Sequence, residues 1–318
     1  MTQLILKVLR KFGETENISS FELAAVDGSP LPVFSAGSHI DVHLPNGMTR
    51  QYSICNDDAE QHRYRIAVLR DPETRGGSRA MHDDVHVGDL IPISAPRNHF
   101  PLIQARRTLL VAGGIGVTPL LCMAYRLARA GADFHLHYCT RTVERTAFRH
   151  EIAASAFAGK VSFHHSDGPS DQKLDANALL ARPMPGTHLY VCGPAGFIDH
   201  VTGAANACGW AADHIHQEHF GAPVQDTSTD GDFQVRIASS GKTYRVPAGK
   251  TVVNVLHQHG IDILVSCEQG VCGTCITRVL QGECEHRDMY FTDDEKAAND
   301  QFTPCVSRAR SEVLVLDI

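Results

Sequence analysis

Four cysteines stand at a spacing that can do chemistry. Cys267, Cys272 and Cys275 are separated by four and by two residues, and Cys305 follows 29 residues after the third. This is the plant-type arrangement for a [2Fe-2S] cluster, in which a short loop wraps the cluster and the last thiolate arrives from a distance. Gly270 and Gly273 inside the loop let its backbone approach the sulfides. Two other readings compete, a structural zinc site and cysteines that merely pack. Structural zinc sites usually present two close pairs, whereas a close triple plus a single favours the cluster. Cys284 does not fit the spacing and reads as a small buried residue, while Cys55, Cys122, Cys139, Cys192 and Cys208 are singletons, most of which read as packing residues.

A second set of residues is suited to nucleotides. Residues 112–119 read AGGIGVTP, with Gly113, Gly114 and Gly116 followed by Thr118 and Pro119. Glycines between a strand and a helix admit a pyrophosphate, and the helix end offers unpaired N–H donors. The spacing differs from GxGxxG, and a tight turn packing helix on strand would explain the glycines as well. Three further runs could join the first: Arg50-Gln51-Tyr52-Ser53, then Arg75-Gly76-Gly77-Ser78-Arg79, then Cys192-Gly193-Pro194-Ala195-Gly196. The second opens a short helix that could receive a phosphate.

Three textures of chain must position these groups. Up to about residue 102 the pattern is short alternating runs, such as 64–69 and 90–93, with a turn at Pro45-Asn46-Gly47. That predicts an antiparallel barrel or sandwich. From Thr108 the chain predicts a parallel sheet with crossover helices: strands at 109–112, 134–139, 161–164, 189–192 and 215–220, and helices from Pro119 towards Gly131 and over 146–157. The run 221–232, GAPVQDTSTDGD, reads as an exposed linker. Beyond it a hairpin is predicted from 233–237 and 243–246, a helix over 252–258, a capping box at Thr292 and Glu295, and a last strand at 313–316. The expected divisions are 1–103, 104–222, a linker at 223–232 and 233–318.

Composition narrows the function classes. The 318 residues are 43% hydrophobic and 20% charged with 26 glycines, which excludes collagen, coiled coil and wholesale disorder. A net charge of −7 argues against a nucleic-acid partner. No stretch approaches the ~20 apolar residues of a membrane helix, and the amino terminus lacks a secretory pattern, so a cytoplasmic protein that does not engage membranes is expected. Clustered cysteines there point to metal or redox chemistry rather than disulfides.

The order of these motifs carries a resemblance. A barrel with an RxYS run, then GGIGVTP and CGP, then a carboxyl-terminal plant-type cysteine loop resembles the phthalate dioxygenase reductase family, which includes vanillate demethylase reductases, over essentially the whole chain. The resemblance implies an antiparallel β-barrel flavin domain, an α/β parallel-sheet NAD domain of the ferredoxin reductase type and a β-grasp [2Fe-2S] ferredoxin domain. It implies FMN held by Arg50, Gln51, Tyr52, Ser53, Val68, Leu69, Arg70, Gly76, Gly77 and Ser78, with Tyr52 packing on the isoalloxazine and Ser53 near its N5. NADH is assigned to Gly113, Gly114, Gly116, Thr118, Pro119, Thr140, Arg141, Cys192, Gly193 and Pro194. Ser53, Thr118, Cys192 and Phe220 take the catalytic positions, Phe220 shielding the flavin until nicotinamide displaces it. Phe197 departs from the methionine that many relatives carry after CGP. Arg141 and Arg145 would face either a 2′-phosphate or water, so NADPH stays open beside NADH.

The function implied is redox positioning: hydride from NADH to flavin, single electrons through the cluster, then a transient contact with a Rieske-type terminal oxygenase, by a monomer. Two alternatives stand beside it, a free-standing NAD(P)H-dependent ferric or quinone reductase and a non-catalytic iron-sulfur and flavin sensor.

Overall fold

A computed structural model describes residues 3–72, 76–221 and 227–318, so Arg75 of the RGGSR run lies outside the described residues. The chain divides into two units, 1–220 and 221–318.

The first unit opens with antiparallel strands: β1 (Gln3–Thr15), β2 (Ile18–Ala25), β3 (Ser38–His43), β4 (Thr49–Ser53), β5 (Tyr64–Leu69), the helix α1 (Gly77–Asp83), β6 (Leu90–Ser94) and the short β7 (Arg97–Asn98). Their sheet order is β4-β3-β6-β1-β2-β5, with β7 on β3. The two ends of that order meet. Ile54, directly after β4, bridges Ile66 of β5, and the Cys55 N–H donates to the Arg65 carbonyl at 2.8 Å. The closed sheet is a barrel, and alternation along each strand fills it with Phe21, Leu23, Ile40, Ile54, Tyr64, Ile66 and Ile93, all fully buried. Each such side chain is worth roughly 1.5–3 kcal/mol relative to exposure.

The parallel sheet follows: β8 (Arg107–Gly113), α2 (Val117–Arg129), β9 (Phe134–Thr140), α3 (Arg149–Ala154), β10 (Val161–His165), α4 (Ala176–Leu180), β11 (Thr187–Gly193), α5 (Ala195–Ala207) and β12 (Ile215–His219). Strand order is β10-β9-β8-β11-β12 with every pair parallel. The order reverses between β8 and β11, which opens a crevice at their carboxyl ends where ligands bind in such sheets. Three elements differ from expectation. The helix predicted over 146–157 contracts to α3, because Phe148 adopts φ +59° and the Thr146 hydroxyl is drawn to Thr140 Oγ1 at 2.8 Å. Helices α4 and α5 are not among the predicted elements.

Barrel and parallel sheet share one core: Ile18, Ala36, Cys55, Ala67 and Phe100 pack in the same cluster as Leu110, Leu120, Tyr138 and Tyr190. The Ile103 N–H donates to the Tyr190 hydroxyl at 2.7 Å, and Arg65 makes a two-pronged pair with Glu151, both contacts at 2.6 Å.

The second unit contains β13 (Phe233–Ile237), β14 (Thr243–Val246), α6 (Val252–Gln258), β15 (Thr277–Gln281), β16 (Cys284–Glu285), α7 (Asp293–Ala298), β17 (Gln301–Phe302), β18 (Arg308–Ala309) and β19 (Val313–Leu316). The sheet runs β14-β13-β19-β15-β17, with β13 and β19 parallel, and α6 packs on it through Val252, Val255 and Leu256. This is a β-grasp arrangement. α6 starts on Thr251, whose hydroxyl accepts the Asn254 N–H, and α7 starts on the predicted capping box of Thr292 and Glu295. The stretch read as exposed linker is partly anchored: the Asp230 side chain is 1% exposed and lies 2.8 Å from Arg287 and 3.3 Å from Arg308. Two cations outbid water for that carboxylate. Among the described residues no helix is long and apolar enough to cross a membrane.

Candidate redox site

The cysteine loop lies between α6 and β15, and Cys305 sits on the turn between β17 and β18. All four thiols are buried, with residue exposures of 3–8%. They lie close enough to act on one another, Cys272 with Cys267 and Cys275 with Cys305 most strongly. In each case one thiol is made more acidic by its neighbour, Cys272 to about 6 and Cys275 below its ordinary value, while the same interaction, with burial second, pushes Cys267 and Cys305 up. Among the described residues no three His, Cys, Asp or Glu side chains are grouped to hold one metal ion. A close triple of thiols with a distant fourth suits two irons better than one structural zinc, which is usually held by two close pairs.

The loop backbone is shaped for something to fit under it. Gly270 and Gly273 have φ of +71° and +68°, and Glu268 has φ +54°. A side chain at Gly270 would lie 2.6 Å from Val306 Cγ2, and one at Gly273 would overlap the Tyr290 ring. Only glycine meets both demands. The Gln269 N–H already donates to Cys267 Sγ at 3.3 Å, and the Cys272 thiol donates to Thr274 Oγ1 at 3.3 Å, so the loop holds its sulfurs through local hydrogen bonds. The residues fit a [2Fe-2S] cluster.

In the first unit the predicted flavin residues lie on β4, on β5 and at the start of α1. Arg50 lies against Gly77: a Cβ there would be 2.7 Å from Arg50 Nε and 2.8 Å from its Cγ. The pair brings a guanidinium to the Gly76-Gly77 backbone, a cradle suited to phosphate. Burial raises the Tyr52 hydroxyl, which stays protonated, and Ser53 is buried at the end of β4 opposite His39. Gln51 is half-buried and pairs with Asp41. Ser78 Oγ accepts the Asp71 N–H at 3.2 Å. Val68 is in the barrel core, whereas Leu69 is 38% exposed and Arg70 is held by Asp83 at 2.9 Å.

The crevice between β8 and β11 gathers the second set. A side chain at Gly113 would lie 2.8 Å from the Phe197 ring, as would one at Gly193, and one at Gly116 would strike the Cys192 carbonyl. Close packing of the two strand ends thus demands these three glycines, while Gly114, at φ +56°, has open space beside it. The Thr118 hydroxyl donates to the Ile115 carbonyl at 3.0 Å, and Pro119 is buried in the first turn of α2. Pro194 caps α5. Thr140 Oγ1 lies 3.1 Å from His165 Nδ1, and Arg141 is exposed beside it. Cys192 is fully buried and its thiol raised by burial; Phe220, 41% exposed, ends the unit.

Sequence reading missed one group here. Glu218 stands beside Cys192 in the parallel register of β12 and β11. Its Oε2 is sealed from water with no hydrogen-bond partner among the described residues, and burial pushes the carboxyl up to about 8. The only signal in sequence was an acidic residue in a strand of a mostly buried sheet.

Known proteins share this layout. A profile for the 2Fe-2S iron-sulfur cluster binding domain matches residues 235–310. The vanillate O-demethylase oxidoreductase of Pseudomonas putida is 55% identical, covering 98% of both chains. The phthalate dioxygenase reductase of Burkholderia cepacia is 41% identical over 99% of this chain and 97% of its own. A solved phthalate dioxygenase reductase, described as a modular structure for electron transfer from pyridine nucleotides to [2Fe-2S], superposes with a TM-score of 0.79 at 41% identity, covering 99% of this chain and 98% of its own. With likeness of that degree running from end to end, the chain belongs to the family of phthalate dioxygenase reductases and vanillate O-demethylase oxidoreductases.

Proposed function

We propose that this chain is the reductase component of a two-component oxygenase, taking hydride from NADH and delivering electrons one at a time to a terminal oxygenase. The observation that carries this reading is one polypeptide holding both a nucleotide crevice joined to a barrel and four buried thiols at a glycine-shaped loop. Bound FMN supplies the conversion between an electron pair and single electrons, and a bound [2Fe-2S] cluster supplies a one-electron relay.

The chain's own residues do the positioning. Arg50 over Gly77 supports phosphate binding, Tyr52 a stacking surface, and Ser53 a hydroxyl beside the ring edge. The open space at Gly114 supports a pyrophosphate at the head of α2, and the buried Thr118 and Cys192 support a dry nicotinamide pocket. Cys267, Cys272, Cys275 and Cys305 hold the two irons. The partner we infer is a Rieske-type oxygenase acting on an aromatic acid, of the class of the vanillate and phthalate in the names of relatives, met in a short-lived complex by a monomeric, cytoplasmic reductase. Ten free thiols suit a reducing compartment.

An anaerobic NADH titration followed by visible absorbance tests the reading. Yellow and red-brown chromophores that bleach together, with three electrons taken up per chain, are expected. Colourless protein containing zinc overturns it. Turnover with ferric or quinone acceptors that matches turnover with a reconstituted oxygenase would move the assignment to a free-standing reductase.

A further inference from the structure

In the second unit one aspartate reaches both the turn that presents Cys305, through its carboxylate, and the cysteine loop, through its backbone. The Asp288 side chain is fully shielded from solvent. Its Oδ2 accepts the backbone N–H groups of Tyr290 at 3.2 Å and Phe291 at 2.9 Å. Its Oδ1 accepts the Ser307 hydroxyl at 3.3 Å and lies 3.3 Å from His286 Nδ1. Ser307 follows Cys305 by two residues and also bonds Thr303 Oγ1 at 2.9 Å, so the carboxylate grips the turn that presents the fourth thiol.

The backbone of the same residue braces the loop. A side chain at Gly270 would lie 3.0 Å from Asp288 Cα, and the Met289 N–H donates to the Gly270 carbonyl at 3.0 Å. Next along the chain, the Tyr290 ring fills the space over Gly273. Asp288 thereby connects 267–275, 286–291 and 303–307.

Shape alone does not call for a full charge here. An asparagine carbonyl could accept the two N–H groups and its amide could donate to Ser307 Oγ, without the cost of burying an anion. A carboxylate has a different effect on a neighbouring cluster, because nearby negative charge opposes the arrival of another electron.

We propose that Asp288 is a positioning residue for the [2Fe-2S] cluster, its buried carboxylate clamping the Cys305 turn to the cysteine loop and keeping the cluster harder to reduce. The inference rests on the cluster reading above.

The test is a spectroelectrochemical titration of the full-length protein, with iron and sulfide measured alongside. Asp288→Asn is expected to keep two irons per chain and to shift the reduction equilibrium about tenfold towards the reduced form, ~59 mV for one electron. Ser307→Ala, which removes a donor but leaves the charge, is expected to shift it the opposite way. An unmoved potential in an iron-replete Asp288→Asn overturns the inference, as does a shift of both variants in the same direction. Should Asp288→Asn lack iron, Ser307→Ala decides: a lowered potential upholds the inference and an unmoved one overturns it. Absence of iron and sulfide from the parent protein defeats the cluster reading itself.

Discussion

Glu218 shows what one buried acid does to the whole chain. Its folded-state carboxyl holds a proton up to about pH 8, whereas in the unfolded chain it releases that proton near the ordinary value of 4.5. Between those values the folded state binds more protons, so stability falls as pH rises, by at most about 1.4 kcal/mol per pH unit. Glu218→Gln should remove that slope. Thermal melts from pH 5 to 9 are expected to show the Tm of the parent declining more steeply than that of the variant, and parallel curves would mean the acid is hydrated. At the thiols, Cys275→Ser takes one member from a pair. It should abolish cluster-dependent cytochrome c reduction while NADH still bleaches the flavin; loss of both activities would give the cluster a structural role in the first unit. Glu218 and Asp288 escaped sequence reading for one reason. Each acquires its properties from residues far away in the chain, whereas the cysteine spacing is local apart from Cys305.

Elements bring these side chains to their places, and the tightest meeting is between the ends of β8 and β11. A methyl group at Gly116 would collide with the Cys192 carbonyl, a backbone atom that cannot rotate away. Gly116→Ala is expected to cost roughly 1–3 kcal/mol in urea denaturation and to slow flavin reduction by NADH. Unchanged stability would show that the crevice can widen. Much of this level was legible from local pattern. The segment Val252–Gln258, the strand Val313–Leu316 and the Thr292 capping box all match expectation, because each is specified by neighbours a few residues apart. Helix α5 was harder, since its run of Ala and Gly carries little contrast between its faces. Contraction of the 146–157 helix depended on Thr140, and anchoring of Asp230 on Arg287 and Arg308, which are again contacts across the chain. Sequence assigned the glycines of 112–116 to a ligand or to tight packing. Packing accounts for Gly113 and Gly116, and Gly114 has the room.

On the scale of the molecule, three textures of sequence yield two units, because barrel and parallel sheet are sealed by a common core while 221–318 has its own. Independent cores unfold as separate events. Calorimetry is expected to show two transitions, with removal of iron by a chelator under reducing conditions lowering one of them and sparing the other. A single transition that shifts as a whole would mean the units melt as one. The pairing of the thiols has a consequence for biosynthesis. Cys267 and Cys272 are close neighbours in sequence, but Cys275 must wait for Cys305. During translation one half of the anchorage is complete some thirty residues before the other exists. Iron-sulfur delivery therefore belongs after synthesis of the carboxyl-terminal turn, and chains truncated before it would leave the ribosome with a loop but no means of closing it.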